Sequence, residues 1–218
     1  ELLRNVSESL AGRVAIVELG TFKANELYEK KLPHFYRLLE GKLSHETLEK
    51  IKQLTPTCSH QQMKHHFLKG GYPDPSLSDD QFQFDQWMDN YYSTYINRDI
   101  RSLFPKLDLI KFQRFISVLS NLSGEMINKS KIATIVEIDD KTVKDYLDIV
   151  HGTFIWRTIH SFEKAFSKSM VKMPKGGFRD SGLLYFQKKI RTVKELEVSP
   201  TLGSDFEHYA IEAILKGI

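Results

Sequence analysis

The stretch Asn128-Lys129-Ser130-Lys131-Ile132-Ala133-Thr134-Ile135-Val136-Glu137-Ile138-Asp139-Asp140-Lys141-Thr142-Val143-Lys144-Asp145-Tyr146-Leu147 decides the fold. Asn128 is a good N-cap, and Ile132, Ala133, Ile135 and Val136 follow at helical spacing. Asp139 and Asp140 then cap a further helix, where acids also suit the positive end of its dipole. Val143, Tyr146, Leu147 and Val150 form that helix's apolar face, and Gly152 is its expected stop. Upstream, Phe112, Phe115, Ile116, Leu119 and Leu122 make another apolar stripe, ended by Ser123-Gly124. Downstream, a β-rich run from Thr153 to Ile159 leads through a basic turn to a second strand expected near Met170 to Met173. Helix, helix, capped helix and hairpin, from Leu107 to Leu184, is the order of a winged helix-turn-helix. In that fold the third helix and the wing usually face nucleic acid. The fold class expected is therefore mainly α, a helical bundle followed by a winged helix with a small β-hairpin.

The 218 residues suffice for one large or two small domains, and 41% hydrophobic with 27% charged residues is an ordinary globular composition. A single cysteine, Cys58, excludes an internal disulfide and fits a reducing compartment, so a cytoplasmic location is expected. No apolar run approaches the roughly 20 residues of a membrane helix. No secretory leader is recognisable, and the chain opens on Glu1-Leu2-Leu3 without an initiator Met, as a piece of a longer protein would. The net charge of +3 is unevenly spread. Residues 106–195 hold 17 Lys/Arg against 10 Asp/Glu, whereas residues 1–105 are at −1 and residues 196–218 at −3. A basic excess attracts phosphate, and it equally fits a solvated lysine-rich surface.

The run Arg13-Val14-Ala15-Ile16-Val17-Glu18-Leu19 reads as a strand buried on both faces. Residues 21–105 read as helical, with segments over Asn25 to Glu40 (interrupted at Pro33), Thr47 to Leu54 and Gln61 to Leu68. A Gly71-Tyr72-Pro73-Asp74-Pro75 turn separates these from a long helix running from Asp79 or Asp80 to Leu103. Cys58, His60, His65 and His66 match no regular zinc spacing and read better as a polar helix face. After Ser199-Pro200 a last helix places Phe206, Tyr209, Ala210, Ile211, Ile214 and Leu215 on one side. Its acids, Glu207 and Glu212, are candidate functional groups, and a solvated surface role suits Glu212 better than Glu207.

Six separated strings carry a family resemblance: Glu8-Ser9-Leu10-Ala11-Gly12-Arg13, Phe67-Leu68-Lys69-Gly70-Gly71-Tyr72-Pro73, Tyr95-Ile96-Asn97-Arg98-Asp99-Ile100, Thr142-Val143-Lys144-Asp145-Tyr146-Leu147, Phe178-Arg179-Asp180-Ser181-Gly182-Leu183 and Leu202-Gly203-Ser204-Asp205-Phe206-Glu207. In that order they resemble the prokaryotic AAA-type ATPases that carry a winged helix and a nuclease-like C-terminal domain. The resemblance implies four parts: residues 1–20 as the last strand of the ATPase core, 21–105 as a helical lid, 106–185 as the winged helix, and 186–218 as a connector with the first helix of the nuclease-like domain. It implies ATP and magnesium in the intact parent and none bound by this segment, which lacks the Gly-x-x-x-x-Gly-Lys-Ser/Thr loop. Implied nucleotide contacts are Arg13, as a γ-phosphate sensor, and the turn glycines Gly70 and Gly71 with Pro73. The family's Lys-x-Pro-Lys stretch and aromatic strand read here Lys172-Met173-Pro174-Lys175-Gly176-Gly177-Phe178, with a glycine pair loosening the strand.

Candidate DNA contacts are Lys141, Thr142 and Lys144 on the third helix, and Lys164, Lys168, Lys172, Lys175 and Arg179 on the wing side. Asp145 and Asp148 share the third helix's exposed face, so any grip on DNA should lean on the wing. Expected partners are DNA, the protein's own ATPase core and its C-terminal domain, with no membrane. No residue of this segment is expected to be catalytic, and no metal site is expected. Two alternatives stand beside the DNA-associated reading: a protein-packing module without nucleic-acid binding, and a regulatory part of an ATP-dependent nuclease.

Overall fold

The computed structural model describes residues 17–41, 44–162 and 173–217. Within them the chain is mainly helical, with one small three-stranded antiparallel sheet. The first helices are short: α1 Ala24–Leu27, α2 His34–Leu39, α3 His45–Lys52 and α4 His60–Lys69. Pro33 stands as the N-cap of α2, so the segment read as one interrupted helix is two. Ser59 and Gln62 form a reciprocal capping box that starts α4, and α4 stops at Gly70. After α5, Pro73–Ser76, the Asp80 side chain accepts from Phe82 N–H and opens α6, Gln81–Thr94. α6 runs on through a π-helical segment, Tyr95–Ile100, into Arg101–Leu103. The wider i→i+5 ladder lets Tyr95, Ile96 and Ile100 share one buried face.

The second half follows the expected helix order. Asp108 caps α7, Leu109–Asn121, by accepting from Ile110 and Lys111 N–H. Asn128 caps α8, Lys129–Val136, and Asp139 caps α9, Asp140–Gly152. α8 ends on Glu137 in the left-handed region, φ 62°. The apolar stripes converge: Phe112, Phe115 and Ile116 of α7, Ile132 and Val136 of α8, and Val143 and Val150 of α9 are all essentially inaccessible. Burying each such side chain stabilises the fold by roughly 1.5–3 kcal/mol. Met88, Ile96 and Ile100 of the long helix belong to this same core, which continues across residue 105.

The sheet departs from the expected hairpin. A short strand β1, Glu125–Met126, adds to β2, Trp156–Ile159, and β3, Lys175–Phe178, in the order β1-β3-β2. Thr153 and Phe154 do not join β2: Thr153 caps α9, its hydroxyl bonded to Tyr95 at 2.7 Å, and Phe154 has φ 63°. The strand that pairs with β2 is Lys175–Phe178; of the second strand expected near Met170 to Met173, Met173 is outside any strand and the rest falls in residues 163–172, which lie outside the described residues. The glycine pair lets β3 lie in close contact on both sides. A Cβ on Gly176 would meet the Trp156 indole at 2.6 Å, and one on Gly177 would enter the His208 ring. The strand must be bare there to lie between them.

Three more helices close the molecule: α10 Ser181–Lys188, α11 Val193–Glu197 and α12 Leu202–Leu215. α10 packs on α4 through Tyr185 against Phe67, 5.2 Å between ring centroids. α12 departs in part from expectation: Tyr209 packs against Phe67, 4.8 Å between ring centroids, but the apolar residues are not the deepest. Its buried residues are Asp205, His208 and Glu212, while Phe206 and Leu215 are exposed. Of the expected strand Arg13 to Leu19, residues up to 16 lie outside the described residues, and Val17–Leu19 pair in no sheet. No described helix is long and apolar enough to cross a membrane.

Candidate functional site

Of the sequence-derived DNA contacts, Lys164, Lys168 and Lys172 lie outside the described residues, as does Arg13, the expected nucleotide contact. Lys141 and Lys144 are exposed on α9, but so are Asp145 and Asp148 beside them. Thr142 is a capping partner, its N–H and hydroxyl both donating to Asp139 at 2.9 and 2.8 Å. Lys175 is ion-paired to Glu207 at 2.6 Å. Arg179 is not a surface cation at all: it lies between Glu18 and Glu212 with its guanidinium 5.1 Å from the Phe154 ring centre. Along one side of α9 runs a groove of about 680 Å³ with Phe104, Leu107 and Ile149 in its wall and Asp145 and Asp148 among its charges.

The glycine turn is built into the interior. Gly70 has φ 73°, and a Cβ there would collide with Asp180 and Gly182. Gly71 donates N–H to Asp180 Oδ2 at 2.9 Å and accepts from Phe22 N–H at 2.8 Å. The close backbone approach that glycine permits is thus made to Phe22 and to the start of α10. Asp180 does two jobs, because its other oxygen caps α10 through Leu183 N–H. Pro73 is exposed at the first position of α5. His66, next to this turn, bonds the Phe22 carbonyl through Nε2 and Tyr209 OH through Nδ1, both at 2.8 Å. The carbonyl can only accept, so Nε2 carries the proton and Nδ1 accepts from the tyrosine. Burial pushes the His66 pKa down, in keeping with that neutral ring.

The densest chemistry lies beneath α12. Asp205, His208 and Glu212, at i, i+3 and i+7, form one inward face. Asp205 accepts from Lys188 Nζ with both oxygens, at 2.8 and 2.7 Å, and from Thr201 at 2.9 Å. Burial pushes the Asp205 carboxyl up and the Lys188 amine down, each against the pull of the other's charge. Glu212 is held by Arg157 Nε, with Arg179 Nε at 3.9 Å. Glu18 bridges the same two arginines from outside, and the hydrogen bond from Arg179 holds its carboxyl below the usual range. His208 packs flat on Gly177; its Nε2 has no hydrogen-bond partner and lies 3.8 Å from Glu212. Burial, helped by Arg157, pushes the His208 pKa down to about 4. Lys216 donates to Thr21, and Lys23 donates to the Lys216 carbonyl. The enclosed space among these groups is about 20 Å³, near the size of one water.

Sequence reasoning favoured Glu207 over Glu212 as the functional acid. The structure reverses this: Glu207 is a half-exposed partner of Lys175, and Glu212 is a buried one of two arginines. The available signal was the i, i+3, i+7 polar spacing, which the helix's apolar residues outweighed. Of the set Cys58, His60, His65 and His66, His66 is buried rather than part of a polar face. Among the described residues no three His, Cys, Asp or Glu side chains converge as metal ligands.

Residues 60–194 match the model of a domain family of unknown function, DUF8612, and the chain belongs to that family. The chain is similar to the uncharacterized proteins Mb2031c of Mycobacterium bovis and Rv2008c of Mycobacterium tuberculosis, each 23% identical over 214 residues. Those matches take in 98% of this chain and 42% of either relative, so it spans about two fifths of their length. No solved structure matches.

Proposed function

We propose that this DUF8612 chain is the lid and winged-helix part of an AAA-type ATP-binding protein, and that its winged helix packs against protein rather than gripping DNA. The winged-helix assignment is supported by the order α7-β1-α8-α9-β2-β3 and the strand order β1-β3-β2. The packing assignment rests on one observation. The exposed face of α9, where a DNA reader needs net positive charge, sets Lys141 and Lys144 against Asp145 and Asp148 beside an apolar groove. Lys175 and Arg179 are already held by acids. The natural partners for such a face are the protein's own ATPase core and C-terminal domain. ATP and magnesium belong to the parent in this reading, in a cytoplasmic setting; the chain itself, lacking the phosphate-binding loop, releases no phosphate from magnesium-ATP.

DNA association is the second reading, favoured by the 17 Lys/Arg against 10 Asp/Glu of residues 106–195, among them Lys164, Lys168 and Lys172. Fluorescence anisotropy on two unrelated duplexes, across a salt series, separates the two. Packing predicts no binding at physiological salt. Binding that falls steeply with salt, and is lost alike on both duplexes in K164A/K168A/K172A, overturns the packing reading in favour of DNA.

A further inference from the structure

The chain around Glu18 to Glu26 is tied to the far end of the molecule by charge. Eight side chains of formal charge lie along the contact between the first stretch and α12: Lys23, Arg157, Arg179 and Lys216 against Glu18, Glu26, Asp180 and Glu212. They balance only because of what the first stretch supplies. Glu18, Lys23 and Glu26 bring a net −1. Without them Arg157, Arg179 and Lys216 face Asp180 and Glu212 alone, a net +1 in a site where the side chains of Arg179 and Glu212 are 9% and 4% exposed. Glu212 would then be the one carboxylate paired with two largely buried guanidiniums, an arrangement that is disfavoured. Glu18, by contrast, is 47% exposed and reaches the arginines from the solvent side.

We infer that this network is a transmission joint, in which the position of residues 17–27 sets how firmly α12 and β3 are seated. The connectivity is specific. Arg157 belongs to β2, Arg179 follows β3, Glu212 is on α12, and Glu18 contacts both arginines. Arg179 and Asp180 are neighbours, so the residue that answers Glu18 directly precedes the one that holds Gly71 and caps α10. Displacing the chain at Glu18 therefore loosens the last helix, the central strand β3 and the glycine turn together. The joint is independent of what the chain binds.

Hydrogen exchange on the whole chain, read by mass spectrometry, tests it with Glu18→Gln, Glu212→Gln, the double variant and Glu18→Asp. Removing the Glu18 charge should speed exchange in Leu202–Leu215 and Lys175–Phe178 by about three- to tenfold, the range of coupled charge networks, and leave Leu109–Asn121 unchanged. Because the two acids act through shared arginines, Glu18→Gln should speed exchange by a different factor in the Glu212→Gln background than in the wild type. Glu18→Asp should stay within about twofold of wild type, since it keeps the charge. An unchanged last helix in Glu18→Gln overturns the joint, as do effects of the two glutamines that simply multiply. Should Glu212→Gln fail to fold, the pair Glu18→Gln and Glu18→Asp still decides, because loosening by both or by neither refutes a charge-borne link.

Discussion

His208 makes the stability of this chain depend on pH in a calculable way. The imidazole is 2% exposed, and burial with the neighbouring Arg157 holds its pKa near 4, against 6.5 for the free side chain. Between pH 4 and 6.5 the unfolded chain takes up a proton that the folded one refuses. Stability therefore rises with pH through that window, is complete above 6.5, and is lost as pH falls towards 4. At about 1.4 kcal/mol per pH unit, the full window is worth about 3.5 kcal/mol. His208→Gln removes the titrating group. Urea unfolding at pH 7 and pH 4.5 should show the wild type losing about 2–3 kcal/mol more than the variant over that interval. His66 and His65, also pushed down by burial, titrate in the same direction, so the variant keeps a slope of its own. The comparison cancels them. Equal losses in the two proteins would show that His208 is solvated or protonated in the fold, and the account of the site beneath α12 would fail.

Three further outcomes follow from named contacts. Lys188→Met leaves the Asp205 carboxylate buried without its cation and should cost about 3–5 kcal/mol in urea unfolding, whereas Lys188→Met with Asp205→Leu should recover most of it. Gly176→Ala drives a methyl into the Trp156 indole and should lower stability by about 1–3 kcal/mol, read as a drop in Tm. Glu137→Gly relieves a left-handed backbone at the end of α8, φ 62°, and should raise stability by up to about 1 kcal/mol, less a few tenths for its exposed ion pair with Arg114.

The three-helix order was legible because it rests on local rules. The caps at Asp80, Asn128 and Asp139 and the stripe Phe112, Phe115, Ile116, Leu119 each need only their own helix to be read. The sheet was less legible. A two-residue strand such as Glu125–Met126 has no periodicity, and the place of β3 depends on Trp156 and His208, which are distant in sequence. The site beneath α12 was hidden for the same reason. Nothing near Glu212 in sequence announces Arg157, 55 residues away, and a helix that carries Phe206, Ile211 and Leu215 among its acids looks as though it should turn those apolar groups inward.

The distribution of charge explains why the acids win that contest. The basic excess of residues 106–195 is answered largely by acids outside that segment: Arg157 and Arg179 by Glu212 and Glu18, Lys175 by Glu207, Lys188 by Asp205, and Arg191 by Asp85. The −1 and −3 of the flanking segments are in this sense the complement of the +7 between them. Once two arginines project from β2 and the end of β3, the element that covers them must bring carboxylates, since leaving them buried and unpaired costs more than exposing Phe206 and Leu215. A regional charge excess of this kind reports how the chain docks onto itself. It becomes a measure of phosphate affinity only for cations left over after that docking, which on α9 are matched one for one by Asp145 and Asp148.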